Sequence, residues 1–565
     1  MKKAFLLLVS LLIIAIAVLI WLKVSNSRKA VALPPANTIV RIYYAGAANL
    51  AADTNSIAFT NIFCSSQARG LESQTFDKLS RAPGTWFKAK LPPNTPDGSA
   101  QLRPLLDDFL TSEWVLEMRD ATSSPEYSLA IQLNDARAQL WETNLRTLLE
   151  TWTGIKATNV AGGWELKKDM PPNLFRMVRT TNWLVIGCGQ DELPLSDAWV
   201  SREQSRAREQ AQSNSPEDHS LTVGALSGDT NWVSAKVDWP RLAQIFPVFA
   251  KFDLPVMQMQ VVGRNGLLLT SGTFDLSQPL AGLTDWEIPT NLIRQPITSF
   301  TGVRWFAPWL ERQSWANWLK FSPVPDQAFI WSLGSSPFQT YVAIPVTNST
   351  AELAQLDQNL TTNTNWETHL TTHFALVRTN NRIFLRNVPL MTPEIRALKE
   401  PSGDFLLADL FANPPFGKGP TDLFQAAGRT NLLFYHWEVT SERLKELVEP
   451  TQLTLMLTRH RESDPNAAAG QWLAHIGPSL GNSVTEVTQT GPEELQFRRS
   501  ALAGLTAFEL LALANWLESP NFPGWDLSLP ARRFPPYHTP KTLNPSAVRH
   551  PTPTPHPPAL PSSTH

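Results

Sequence analysis

His369 and His373 stand four residues apart, the spacing that puts two imidazoles on one helical face where both can reach a single metal ion. In the H-E-x-x-H helix of zinc hydrolases the residue after the first histidine is the glutamate that acts as general base, and here it is Leu370. The chain from about Phe374 reads as a strand, so a helix that ended near His369 would separate the two rings. These two residues are the candidate metal ligands, set against a plainer reading as histidines at a helix end. Ser479 lies in Gly477-Pro478-Ser479-Leu480-Gly481, a match to G-x-S-x-G. A nucleophile elbow needs a strand before the serine and a helix after it. Here Ala467 to Ile476 has a helical pattern and the chain from Val484 is extended, so the order is reversed and the segment reads as a helix-stop loop.

Gly417-Lys418-Gly419-Pro420-Thr421 gathers glycine, lysine and threonine without the P-loop spacing, and Pro420 lacks an N–H that a phosphate cradle would use. It reads as a loop. Asp107-Asp108 and Glu493-Glu494 are adjacent in sequence, so their side chains diverge and do not form an acid–base pair. Both pairs are expected on the solvated surface. No catalytic residue and no cofactor follow from these patterns. Trp305, Trp309, Trp315 and Trp318 cluster within 304–321, and aromatic platforms hold sugars or partner proteins. Trp315, Trp318 and Leu319 also fit the i, i+3, i+4 spacing of a buried helix, which is the expectation for large aromatics.

The frame that would hold such residues begins with an apolar run from Ala4 to Leu22, broken only by Ser10 and preceded by Lys2 and Lys3. About 20 residues cross a hydrocarbon core of roughly 30 Å as a helix, whereas a cleavable signal has an apolar region of roughly 7 to 15. The only A-x-A match, Ala30-Val31-Ala32, lies well beyond the run, so the segment reads as an uncleaved anchor that partners the membrane. Lys2, Lys3 and the amino terminus nearly balance Lys23, Arg28 and Lys29 across it. The short leader has no folded domain to translocate, which places the amino terminus inside and the bulk of the chain outside.

A net charge of −2 over 565 residues, with no long basic stripe, lacks the electrostatic footprint of nucleic-acid binding. Two cysteines, Cys64 and Cys188, exclude a disulfide scaffold and a cysteine-rich zinc ribbon, though outside the cytoplasm they could pair with each other. Forty-six prolines and 21 tryptophans point to fixed turns and large aromatic anchors.

After a short stalk at 30–39 the pattern becomes that of an α+β fold with antiparallel sheet. Residues 126–133 alternate Tyr127, Leu129, Ile131 and Leu133 against polar or small neighbours, the mark of a strand with one buried face, and Trp114, Leu116 and Met118 do the same. Asp135 is expected to cap a helix that Gly154 stops. Strands at 175–178 and 183–188 complete a first unit, 40–195. A polar linker, 196–220, precedes a second unit, 221–400, with an Asn265-Gly266 hairpin. A third, 401–530, ends in a helix with a Thr506/Glu509 capping box. The units read as two or three diverged repeats. From 531 the chain is proline-rich and reads as disordered, and its His538, His550, His556 and His565 are not expected to form a defined metal site.

Ala45-Gly46-Ala47-Ala48-Asn49-Leu50 with Asp53-Thr54-Asn55, Leu71 to Leu79 (LESQTFDKL) and Leu505 to Pro523 (LTAFELLALANWLESPNFP) resemble segments of uncharacterised single-span envelope proteins from bacteria of the verrucomicrobial and planctomycete kind. That family carries no assigned activity, so the resemblance implies a bacterial inner-membrane protein with its bulk in the periplasm and transfers no functional residue. The expected function is that of a membrane-anchored binding or scaffold protein with an envelope protein or polymer as partner. The alternatives are a hydrolase, metal-assisted through His369 and His373, and a carbohydrate-contacting module built on the tryptophan cluster.

Overall fold

Apolar alternation makes twenty strands among the described residues, and these strands join edge to edge. The computed structural model describes residues 38–88, 91, 93–119, 125–167, 174–180, 182–189, 231–247, 249–252, 254–280, 282–311, 321, 323–334, 339–362, 375–379, 381–387, 392–411, 417–448, 467–519 and 522–524. The chain divides into two units, Met1–Pro523 and Gly524–His565, and the architecture below is that of the first. Its first ten strands are β1 (Thr38–Tyr44), β2 (Trp114–Arg119), β3 (Glu126–Gln132), β4 (Thr158–Val160), β5 (Gly163–Lys167), β6 (Leu174–Thr180), β7 (Trp183–Gly189), β8 (Asn231–Asp238), β9 (Val256–Arg264) and β10 (Leu267–Asp275). The other ten are β11 (Ile297–Arg304), β12 (Gln327–Leu333), β13 (Thr340–Val346), β14 (Ala375–Thr379), β15 (Arg382–Arg386), β16 (Glu394–Glu400), β17 (Gly403–Asp409), β18 (Leu432–Val439), β19 (Asn482–Gln489) and β20 (Glu494–Ala501).

All twenty belong to one sheet, and every pairing is antiparallel. At its middle β10 lies against β20, with Leu268 opposite Ala501 and Asp275 opposite Glu494. Outward from that pair one side runs β9, β8, β1, β2, β3, β7, β6, β5, β4, and the other runs β19, β18, β11, β12, β13, β17, β16, β15, β14. Adding ten to each strand of the first series gives the second. The helices keep the same places: Asp135–Thr153 follows β3 as Ser349–Thr362 follows β13, and Trp239–Ile245 follows β8 as a helix at 440–448 follows β18.

Helices from both ends of the described chain cover the β1–β9 side. Ser66–Phe87, Ser99–Thr111, Asp135–Thr153, Ala468–Ile476 and Ala507–Glu518 bury Phe76, Phe109, Trp141, Trp472 and Leu510 against Trp114, Leu129, Trp164 and Leu184 of the sheet. Two of the buried indoles have clear acceptors: Trp114 Nε1 donates to the Phe109 carbonyl at 2.8 Å and Trp141 Nε1 to Asp108 Oδ2 at 2.7 Å. A second core packs Phe300, Phe329, Trp331, Tyr341, Phe405 and Tyr435 against Ile288, Ile293 and Ala427. Each fully buried phenylalanine there contributes about 1.5–3 kcal/mol.

Two local expectations need correction, and one question left open is answered. β3 is buried on both faces: Leu129 and Ile131 pack with the helix-side core, and on the opposite face Ala130 packs against Trp183 and Val185 of the neighbouring β7. The helix after it is capped by Asn134, whose side chain accepts the Arg137 N–H at 3.0 Å, so Asp135 is the first helical residue. Cys64 is exposed and Cys188 is buried on β7, and no disulfide joins them. The Asn265-Gly266 turn has φ of +51° and +73°, as a tight hairpin requires, and the Thr506/Glu509 capping box is formed. Among the described residues no helix is long and apolar enough to cross a membrane; the Ala4–Leu22 run, the 196–220 linker and the chain from 531 lie outside them.

Candidate functional site

β18 presents alternate residues to opposite faces of the sheet. Tyr435 and Trp437 face the second core and floor a cleft of about 500 Å³, whose walls are Gln295, Pro296, Ile297, Pro420, Asp422 and Leu423. The walls are held from behind. The Gln295 N–H donates to the Lys418 carbonyl at 3.0 Å. Gly417 has φ of +95°, and a Cβ there would stand 2.5 Å from the Gln295 carbonyl oxygen, so this close approach requires glycine. Arg304, at the end of β11 and 2% exposed, donates to the carbonyls of Leu432 at 2.7 Å, Thr284 and Thr430, and its guanidinium lies 4.8 Å from the Trp286 ring centre. Gln327 Nε2 donates to the Asp285 carbonyl at 2.6 Å while its Oε1 accepts the Glu287 N–H at 3.0 Å. These bonds fix the 284–287 segment and the 430–432 turn against the sheet, beside the strand that carries the cleft's floor. An apolar floor with an exposed amide and an exposed carboxylate at the mouth suits a ligand held by surface contact and oriented by a few polar groups.

The intervening residues of β18 point the other way. His436 Nδ1 lies 2.8 Å from Thr301 Oγ1, and its Nε2 lies 3.3 Å from Glu438 Oε2. Glu438 is 2% exposed and accepts from Thr440 Oγ1 at 3.0 Å and from the Ala507 N–H at 2.7 Å. Burial pulls its pKa upward, but the neighbouring His436 imidazole and the hydrogen bond from the Ala507 N–H outweigh it and hold the carboxyl below the usual range. Hydroxyl, imidazole and carboxylate in a row suggest a hydrolytic triad. Glu438, however, is spent on the first N–H of the Ala507–Glu518 helix, where the helix dipole favours an anion. What the row does here is dock that helix to the sheet.

A third group sits farther along the same half. Tyr341, Asp409 and Glu394 are cross-strand neighbours on β13, β17 and β16. Arg396 Nη2 lies 2.7 Å from Asp409 Oδ2, and its Nε lies 2.8 Å from Glu394 Oε1. The Asp409 side chain has no exposed surface, and its Oδ1 has no hydrogen-bond partner. Burial outweighs the pull of Arg396, Glu394 adds repulsion, and the carboxyl is pushed up to about 6. It can therefore take up a proton close to neutral pH.

His369, His373, Trp315 and Trp318 lie outside the described residues. Among those described, no group of three or more His, Cys, Asp or Glu could hold a metal ion. Ser479 sits after a helix and before β19, and its Oγ donates to the Ile476 carbonyl at 2.7 Å, a helix-end contact. Trp305 has φ of +62° and packs beside Leu280, Leu433 and Leu495. Asp108 is a correction: it is 7% exposed and bound by Arg137 at 2.7 Å and by Trp141, while Asp107 faces solvent beside Arg103. The divergence of adjacent side chains sends one carboxylate inward. Glu493 and Glu494 are exposed, as expected. Gly417 to Pro420 is a loop and Thr421 starts the Thr421–Ala427 helix; Pro420 of the loop and Asp422 and Leu423 of the helix line the cleft. Asp409 escaped the sequence reading, although a lone acid after the apolar run Phe405-Leu406-Leu407-Ala408 was a usable signal.

No family model matches the chain, and no curated protein matches it. Among solved structures, TP0453 in crystal form III aligns with 40% of this chain and 98% of its own, at 8% identity and a TM-score of 0.20. Its crystal form I aligns with 41% and 98%, at 7% identity and a TM-score of 0.19. Likenesses of that size carry no argument about this protein.

Proposed function

We propose that this is a membrane-anchored binding protein of the bacterial envelope, held by Ala4 to Leu22 in the inner membrane with its bulk in the periplasm. The sheet serves as a rigid scaffold, and its ligand or partner engages the cleft under Tyr435 and Trp437. The observation that carries this reading is the way the cleft is built, from the separate segments 295–297 and 420–423, joined by the Gln295–Lys418 bond, around the aromatic floor of Tyr435 and Trp437. The recurrence of one strand order on both sides of β10–β20 supports descent of the scaffold from two copies of an α+β unit. Native mass spectrometry of the full chain in detergent, with metal analysis on the same sample, tests the binding role. Excess mass that disappears in Trp437→Ala is the expected result. Excess mass or zinc that survives Trp437→Ala and is lost in His369→Ala would replace this reading with the metal-assisted hydrolase.

A further inference from the structure

The chemistry of the cleft selects among ligands, and, taking the binding role above as given, we infer that it receives an extended proline-rich peptide of positive charge. Six of the eight residues that line it are apolar or aromatic; beside the Tyr435 hydroxyl and the Trp437 indole N–H in its floor, only Gln295 and Asp422 offer polar groups, too few to satisfy a ring of sugar hydroxyls. A sugar ring presents hydroxyls around its rim, and each one buried without a partner costs about 1–3 kcal/mol. A polyproline II segment instead has no internal hydrogen bonds, presents flat pyrrolidine faces, and rises about 9 Å over a three-residue turn. Such segments dock on aromatic-lined grooves with few hydrogen bonds, and their stiffness lowers the entropy lost on binding. Tyr435 and Trp437 supply the aromatic floor and Pro296 and Pro420 the walls, while the Gln295 amide can donate to a ligand carbonyl at the mouth.

Charge sets the sign of the peptide. Asp422 is the one charged side chain among the described lining residues, and it is exposed. Residues 1–530 hold 44 of the 48 Lys and Arg and all 50 Asp and Glu, so this part of the molecule is net acidic and attracts a cationic partner. The chain itself contains a segment of the required class, 546–561 (SAVRHPTPTPHPPALP), which carries Arg549 and no acid and serves as a probe.

The test titrates a fluorescent peptide of that sequence into the full chain in detergent. The protein is a full-length variant in which prolines 551, 553, 555, 557 and 558 are serine, so that only the added peptide carries the motif. The expected result is saturable binding that weakens at least tenfold in Trp437→Ala, at least threefold in Asp422→Lys, and at least tenfold when the peptide's prolines are alanines. Asp422 is exposed, so that variant reports on binding without disturbing the core. Absence of binding, or binding indifferent to Asp422→Lys and to the loss of the peptide's prolines, overturns the inference. A neutral oligosaccharide tested in parallel separates the two levels. If it binds in a Trp437-dependent way while the peptide does not, the cleft is a ligand site and the peptide class is wrong. If neither binds, the binding role of the cleft falls with it.

Discussion

Replacing Asp409 with asparagine should change how the protein's stability depends on pH. The Asp409 side chain has no exposed surface, receives one charged hydrogen bond from Arg396 at 2.7 Å, and leaves Oδ1 without a partner next to Glu394. Its carboxyl titrates at about 6 in the folded protein against an ordinary 3.8. The folded state thus holds this proton more tightly than the unfolded chain does. Its contribution is most favourable below pH 3.8, declines as pH rises, and is fully lost once pH passes 6. The difference between 3.8 and about 6 corresponds to about 3 kcal/mol. In the Asp409→Asn variant the side chain has no proton to lose, its carbonyl can still accept from Arg396, and its amide replaces the unpartnered oxygen. The free energy of unfolding of Asp409→Asn relative to the wild type should therefore rise by about 2 kcal/mol between pH 4 and pH 8, the part of that difference lost above pH 4, measured by urea denaturation followed by tryptophan fluorescence. A difference that stays constant within about 0.5 kcal/mol over that range would refute the reasoning, since it would mean that the Arg396 ion pair fully offsets burial.

Glu438→Ala strips the Ala507 N–H and Thr440 of their buried acceptor and should cost about 2–3 kcal/mol at pH 7. Because the folded pKa of Glu438 is depressed, that loss is full above its ordinary value of 4.5 and shrinks as pH falls through the lower folded value, which urea midpoints at pH 7 and pH 3 would show. Gly417→Ala forces a Cβ to within 2.5 Å of the Gln295 carbonyl at φ of +95° and should lower stability by about 1–2 kcal/mol, with faster proteolysis near 417–420 as the local readout. Iodoacetamide should alkylate Cys64 in the native protein and Cys188 only after denaturation, as intact mass before and after urea would report; equal labelling of both without denaturant would contradict the burial of β7.

Local structure was legible because it depends on neighbours in sequence. The alternation at 114–118 and 126–133, the Asn265-Gly266 turn, the Thr506/Glu509 capping box and the strand–helix step at 432–448 are each written within a short stretch of chain, and each is present. Burial was less legible. Ser128 and Ala130 look like a solvent face, yet both are buried, Ala130 against Trp183 and Val185 of the adjacent strand. Asp108 looks like half of a surface acidic pair, but Arg137, 29 residues away, draws it inside.

The amino-acid sequence determined the α+β class, the antiparallel hairpins and most of the turns, since strand period, helix capping and positive-φ residues are short-range properties. It also drew attention to the Gly417–Thr421 segment, though not to the cleft that Pro420 and the following helix line. Tertiary structure alone decided that β10 meets β20 from the far end of the folded chain, that one strand order runs twice through the sheet, and that Gln295, Asp422 and Trp437 share a cleft. The physical reason is that strand pairing and the meeting of side chains are long-range events. Backbone hydrogen bonds are the same for any pair of strands, so register and order are set by which apolar faces can be buried together, a property of the whole chain.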